Sequence, residues 1–248
     1  CIRARVWHET RSPLFEQAVA VGGSAYSKRV TFGVRYAQDS ILECFEANRT
    51  RYPVILPDLM DSPPEQLAHL RLHNCTIWRW NRPLIGFDDA GDPHCRIEHR
   101  VVAAGPTPRD AIANSALFLG LFEALMRSPD PLTERLPFGV ARDNFYAAAR
   151  HGLSAPVTCT DGVSRALSEL LSATLIDEAA DGLRAAGLRE AELQRWLGVI
   201  RGRVERRMTG ADWQVAWVNR HGRDFAGLVD AYAERLASNL PIHEWSLS

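Results

Sequence analysis

The chain has 248 residues, 46% of them hydrophobic, and a formal net charge of -1, which is enough apolar sequence for one large domain or two small ones. A charge so near zero argues against nucleic acid or an acidic membrane as a bulk electrostatic partner. No apolar run of about 18 residues and no basic-then-apolar leader predicts a membrane span or a signal peptide.

In chain order, residues 12–21 predict a helix with Ser12 as N-cap, Pro13 at the first helical position and Gly22-Gly23 as its stop. A second helix is expected over Tyr36 to Asn48, with Ile41, Leu42 and Phe45 as its apolar stripe. Pro53, Pro57, Pro63 and Pro64 make the next stretch loop or edge strand. Two strands joined by an Asp/Gly turn are then expected, about Leu70 to Leu84 and His94 to Ala103. After Gly105-Pro106 the character changes. Thr107 or Asp110 caps a long helix with Ile112, Ala116, Leu119, Leu121 and Leu125 on its apolar face. Further helices are expected over roughly 138–151, 163–186, 189–206, 209–220 and 222–237, with Gly152, Gly187 and Gly222 as C-caps and Thr209 as an N-cap. Residues 1–105 thus read as mixed helix and antiparallel strand, and 106–248 as helical, in one domain of α+β class. The first residue is Cys1 in what looks like mid-domain sequence, so a longer polypeptide is expected.

The charged residues concentrate in the strand region. A period of two puts His94, Arg96, Glu98 and Arg100 on one face, opposite a first strand carrying Arg71, His73, Arg79 and Arg82. Such a face either solvates itself through cross-strand Arg–Glu pairs or binds an anion with the help of a metal. Glutamate suits Mg²⁺, an oxygen-seeking ion that bridges to phosphates, and arginine grips carboxylates and phosphates with a two-pronged fork. Zinc is the rival metal, from His73, Cys75, His94, Cys95 and His99, but their spacings are not those of zinc sites. Lys28 is the only lysine, so the arginine abundance also fits a compositional bias. Trp78-Arg79-Trp80-Asn81-Arg82 could stack on nucleobases, although a half-buried strand gives the same pattern. Cys1, Cys44, Cys75, Cys95 and Cys159 are odd in number and lack C-x-x-C, which fits reduced thiols in a cytoplasmic protein. Asn114 reads as support for the strand–helix junction. Asn144, Tyr146, Arg150 and His151 read as packing and supporting residues, and the His243-Glu244-Trp245 tail as one that frays.

The strings LHNCTIWRWNRPLIGF and PHCRIEHRVVAAGPTPRDAIANSALFLGL resemble the glutamate–cysteine ligase family of the GCS2 type, within the glutamine-synthetase-like superfamily. ARDNFYAAARHGL, MTGADWQVAWVNRHGRDFAGL and PIHEW extend the resemblance to the C-terminal half of bacterial members. The resemblance implies a glutamine-synthetase-like catalytic domain, of which this chain is the C-terminal part, and ATP-dependent ligation of a carboxylate to an amine. Glutamate would be phosphorylated by MgATP and the acyl phosphate trapped by an amine such as cysteine. Residue by residue, Glu98 matches the metal-ligating strand glutamate and Arg100 the arginine that grips the amino acid. Arg79 and Arg82 match arginines contacting phosphates, and His73 and Asn74 belong to the family string on the substrate side. Glycine is expected where Cys75 stands, so a positive φ would strain that residue. Further metal-ligating carboxylates are expected upstream of Cys1. The alternative is a catalytically silent member that binds ligand or regulates. The implied partners are small-molecule substrates, with a homo-oligomer possible and no nucleic acid or membrane.

Overall fold

The computed structural model describes residues 7–19, 28–102 and 105–247. They form an α+β protein of two compact units, one spanning Arg11–Val101 and the other built from residues 7–10 and 102–247.

The 11–101 unit begins with α1 (Arg11–Ala18). Ser12 lies inside this helix and is 1% exposed, so it is a buried packing residue and not the expected cap. The Gly22-Gly23 stop lies outside the described residues. A parallel two-residue pair follows, β1 (Val30–Thr31) with β2 (Trp78–Arg79). Between them, α2 (Leu42–Arg51) starts six residues later than expected at Tyr36. The cause is Glu43, whose carboxylate accepts the backbone N–H groups of Gln38, Asp39 and Ser40 at 2.9, 2.6 and 3.1 Å. That ties the preceding segment into a loop, and the same bonds hold the Glu43 carboxyl at a pKa of about 2. The proline-rich stretch is irregular as expected, apart from a 3₁₀ turn at Pro64–Gln66.

The largest departure lies at 70–75. These residues belong to α3 (Ala68–Cys75), not to a strand. Leu67 enters the helix at φ 50°, its carbonyl accepts the Arg71 N–H (2.9 Å), and Thr76 closes the helix by donating its hydroxyl to His73 O (2.7 Å). The alternation of apolar and polar residues from His69 to His73 fits either period over so short a run. Cys75 takes a helical conformation and is not among the residues with positive φ, so the strain expected there does not arise. A seven-residue antiparallel hairpin then joins β3 (Asn81–Phe87) to β4 (Pro93–His99). Its turn is built on Asp88, whose Oδ1 accepts the N–H groups of Ala90 and Asp92, and on Gly91 at φ 87°. β4 ends before the expected Ala103, a residue outside the described set.

The other unit is mainly helical. α4 (Pro108–Met126) carries Thr107 as N-cap, and it packs against α8 (Ile176–Ala185) and α9 (Glu190–Arg206). Ala113, Ala116, Ala179, Leu183, Leu193, Leu197 and Ile200 form the core of this packing. α4 and α8 meet through small residues: a Cβ added at Gly120 would run into Ala179 O, and one at Gly182 into Gly120 O. The short α5 (Leu132–Arg135) leads into α6 (Phe138–His151), after which β5 (Pro156–Thr158) and β6 (Ser164–Ala166) form a hairpin. That hairpin replaces the expected start of a helix at 163. Asp161 accepts the Val163 N–H (2.9 Å) and Gly162 adopts φ 76°, so the Asp-Gly pair is a turn. α7 (Leu167–Leu170) runs through a π turn at Leu171–Leu175 into α8. α10 (Gly210–His221) is capped by Thr209, and α11 (Phe225–Ser238) follows. Gly152, Gly187 and Gly222 end their helices at positive φ, as expected. The C-terminal tail does not fray. Trp245 is 8% exposed against Trp213 and Tyr232, and Trp213 Nε1 donates to Ser246 O (3.0 Å).

Candidate functional site

The expected site residues gather in the 11–101 unit as two clusters. The first is on the hairpin. Arg82 on β3 lies directly opposite Glu98 on β4, and its Nε and Nη2 both reach Glu98 Oε2, at 3.0 and 2.8 Å. Arg100 follows two residues along, its Nε 3.5 Å from the same Oε2. The strand periodicity expected this shared face, and the register sets it. Arg96 and His94 lie farther along the face, where Arg96 Nη1 is 2.9 Å from His94 Nε2.

Arg100 is the most constrained member. Its guanidinium lies 3.4 Å from the Trp78 ring centroid, and its backbone N–H donates to Trp80 O (2.9 Å). Burial, then the nearby positive charge of Arg82, lowers its pKa below the ordinary arginine value, with Glu98 opposing. An arginine remains protonated through such a shift. Its Nη1 is buried with no hydrogen-bond partner. A buried guanidinium donor left unmade is costly, and a carboxylate or phosphate oxygen is the ligand chemistry that would satisfy it.

The second cluster centres on Asn48, which the sequence reading did not single out. Asn48 is 1% exposed. Its Oδ1 accepts from Arg79 Nη2 (2.8 Å), its Nδ2 donates to Asn74 Oδ1 (2.9 Å), and its carbonyl meets His73 Nε2 (3.1 Å). Asn74 in turn donates to Pro83 O (2.8 Å). Three expected site residues, His73, Asn74 and Arg79, are therefore bound to one another's framework and support β3 from behind. Helix α3 takes Arg71 and His73 out of the expected first strand; Arg71 lies over the Phe87 ring at 5.5 Å. Of the four basic residues expected opposite the charged face of β4, only Arg82 stands there. An asparagine on the buried face of a weakly amphipathic helix was the one available sign of Asn48.

Magnesium was expected at Glu98. One Glu98 oxygen is already shared by two guanidiniums, and among the described residues no group of three or more His, Cys, Asp or Glu is placed to hold a metal. These residues do not fit a magnesium site by themselves, and the zinc set is not assembled either.

In the helical unit, Asp110 is 0% exposed and Arg203 is bound to it through Nε (3.1 Å) and Nη2 (2.7 Å). Asn114 accepts from Arg203 Nη1 (2.6 Å), a bond between α4 and α9 and not at the strand–helix junction it was expected to support. Asn144 bridges to Thr158 by two bonds of 2.8 Å, which likewise makes it a framework residue. A cavity of about 380 Å³ opens beside Asn114, Arg203 and Tyr232, but the Arg203 charge there is already neutralised by Asp110. No family model, no curated protein and no solved structure matches the chain.

Proposed function

We propose that the chain acts in an ATP-dependent carboxylate–amine ligase of the glutamine-synthetase-like superfamily, in the manner of a GCS2-type glutamate–cysteine ligase. The observation that carries this reading is the R-I-E-H-R strand, which brings Arg82, Glu98 and Arg100 onto one face with a buried Arg100 donor unengaged. In the proposed reaction ATP, glutamate and an amine such as cysteine give the γ-glutamyl amide, ADP and phosphate. Arg100 would hold a substrate carboxylate through Nη1, the buried nitrogen that has no hydrogen-bond partner, and Arg82 would offset negative charge that builds on transferred phosphoryl oxygens. Glu98 would hold both guanidiniums in register on the sheet face. Arg79 would act from behind, through Asn48 and Asn74. ATP and Mg²⁺ enter as reactants, and no step is assigned to the ion. The proposed setting is cytoplasmic, with small-molecule substrates, no nucleic acid and no membrane. Among the described residues no helix is long and apolar enough to cross a membrane.

The test is release of ADP by purified protein given ATP, Mg²⁺, glutamate and a panel of amines. Release that needs both glutamate and one amine is expected, and Arg100→Gln should lower it by about 10² to 10³, the usual cost of losing a charge-stabilising donor. Absence of ADP and phosphate with every amine would overturn the ligase reading. A second reading, a silent member that binds without turnover, is favoured by the lone Glu98 carboxylate. Calorimetric binding of glutamate with no ADP release would select it.

A further inference from the structure

Among the described residues the β3–β4 hairpin pairs with no third strand, and its bonding pattern says which atoms line the outer edge of β4. Arg100 N–H donates to Trp80 O and Asp88 N–H to Asp92 O. Both pairs share the register of Asn81↔His99 through Phe87↔Pro93. Hydrogen-bonded pairs alternate along an antiparallel ladder, so the even-numbered residues His94, Arg96 and Glu98 bond to β3. Cys95 and Ile97 therefore present their N–H and C=O groups away from it. Pro83 agrees: it has no N–H, stands opposite Ile97 at a non-bonded position, and its carbonyl is taken from outside by Asn74. Residues 91–97 are all exposed, with Ile97 63% exposed. A two-stranded ribbon with an exposed outer edge of this kind is a template for strand addition.

We propose that β4 pairs edge to edge with β4 of a second copy of this chain, antiparallel and centred on Ile97, to make a four-stranded sheet. The charges select this occupant and this register. With Ile97 opposite Ile97 of the second copy, Arg96 stands opposite the second copy's Glu98 at both ends of the two-fold. Those are non-bonded positions, where side chains approach most closely. Arg96 has a histidine nitrogen and no carboxylate as partner among the described residues, and both ion contacts of Glu98 fall on Oε2. Arg96 of each copy thus meets Glu98 Oε1 of the other, the carboxylate oxygen that neither Arg82 nor Arg100 contacts, and the exposed Ile97 pair is covered. Centring on Cys95 would instead set Arg96 against His94 and forfeit the pairing. The hydrogen bonds of the register come from the outward groups, as a closed two-fold contact requires. A seven-residue edge buries little area, so the dimer is of the weak class. The inference does not rest on the ligase reading.

Sedimentation velocity of the whole chain across roughly 1 µM to 1 mM, with amide hydrogen exchange at both ends of the range, tests it. Such weak interfaces bind on the order of micromolar or looser, so dimer is expected to grow over this range, with the Cys95 and Ile97 amides slowing as it does. Ile97→Lys places like charges at the two-fold, and Arg96→Glu sets one carboxylate against Glu98 of the other copy at each end. Each should weaken association at least tenfold, and Val229→Lys, on the exposed face of α11, should leave it unchanged. A monomer throughout overturns the proposal, as does a dimer that ignores Ile97→Lys and Arg96→Glu. A dimer whose Cys95 and Ile97 amides exchange as fast as in the monomer overturns it as well.

Discussion

Asp110→Ala should be among the most damaging single substitutions in the helical unit. The carboxylate is fully buried, and three groups bond to it. Arg203 reaches Oδ1 by two nitrogens, Thr107 donates to Oδ2 (2.8 Å), and the Ile242 N–H lies 3.3 and 3.2 Å from the two oxygens. Arg203 also donates to Asp110 O (2.9 Å), a bond the substitution keeps. Breaking a buried pair by removing one partner costs about 3–5 kcal/mol, because the Arg203 side chain, 12% exposed, keeps its charge without a counterion. The orphaned Ile242 N–H adds about 1–3 kcal/mol. These terms share one network and do not sum, so a loss of about 4–6 kcal/mol is expected. Urea unfolding followed by far-UV circular dichroism measures it, as a lower midpoint at unchanged slope. At about 2–4 °C per kcal/mol for a unit of this size, melting should fall by at least about 8 °C. In a double-mutant cycle with Arg203→Met, coupling should exceed about 2 kcal/mol. A loss below about 1 kcal/mol with normal slope would refute the reasoning, since the pair could then not be desolvated.

Asn48→Ala should cost about 2–3 kcal/mol in the 11–101 unit, because it leaves Arg79 and the buried Asn74 amide short of partners at once; chemical denaturation reads it, and a neutral result would count against the Asn48 network. Gly182→Ala should cost about 1–3 kcal/mol, since the added methyl meets Gly120 O where α4 and α8 touch; an unchanged melting temperature would contradict that close approach. His243 and Glu43 both contribute to the response to acid. Burial lowers the His243 pKa, with Glu244 and Asp110 opposing, so its neutral form is the folded form. Stability should decline as pH falls below the unfolded value of 6.5, where only the unfolded chain takes the proton, and His243→Gln should flatten the urea midpoint between about pH 8 and pH 5. Glu43 acts lower: its carboxyl is depressed from 4.5 to about 2, so its contribution is complete above the unfolded value and is lost as pH falls through the folded one. Glu43→Gln should reduce the acid-side slope in a pH titration of stability, leaving the part that comes from the other depressed carboxylates such as Asp161.

What could be read from residues alone was whatever depends on near neighbours in the chain. Capping and stop signals are local, so Thr107, Thr209, Gly152, Gly187 and Gly222 stood where expected, and α6 fell at its expected limits. The shared face of Arg82, Glu98 and Arg100 was legible too, because a strand's period of two fixes which side chains travel together once the hairpin is granted. Tertiary structure decided the rest. His69 to Cys75 alternates in a way that suits either period, and α3 won there because Asn74 could then reach Asn48 and Pro83 in a buried network that a strand would not complete. The start of α2 was decided by three N–H groups converging on Glu43, and the tail was held by Asp110, more than a hundred residues away in sequence, and by Trp213, more than thirty away. The buried pairing of Asn48, Asp110 and Arg203 was not legible, since a polar residue's burial depends on partners from distant segments, and only folding brings those partners within hydrogen-bonding reach.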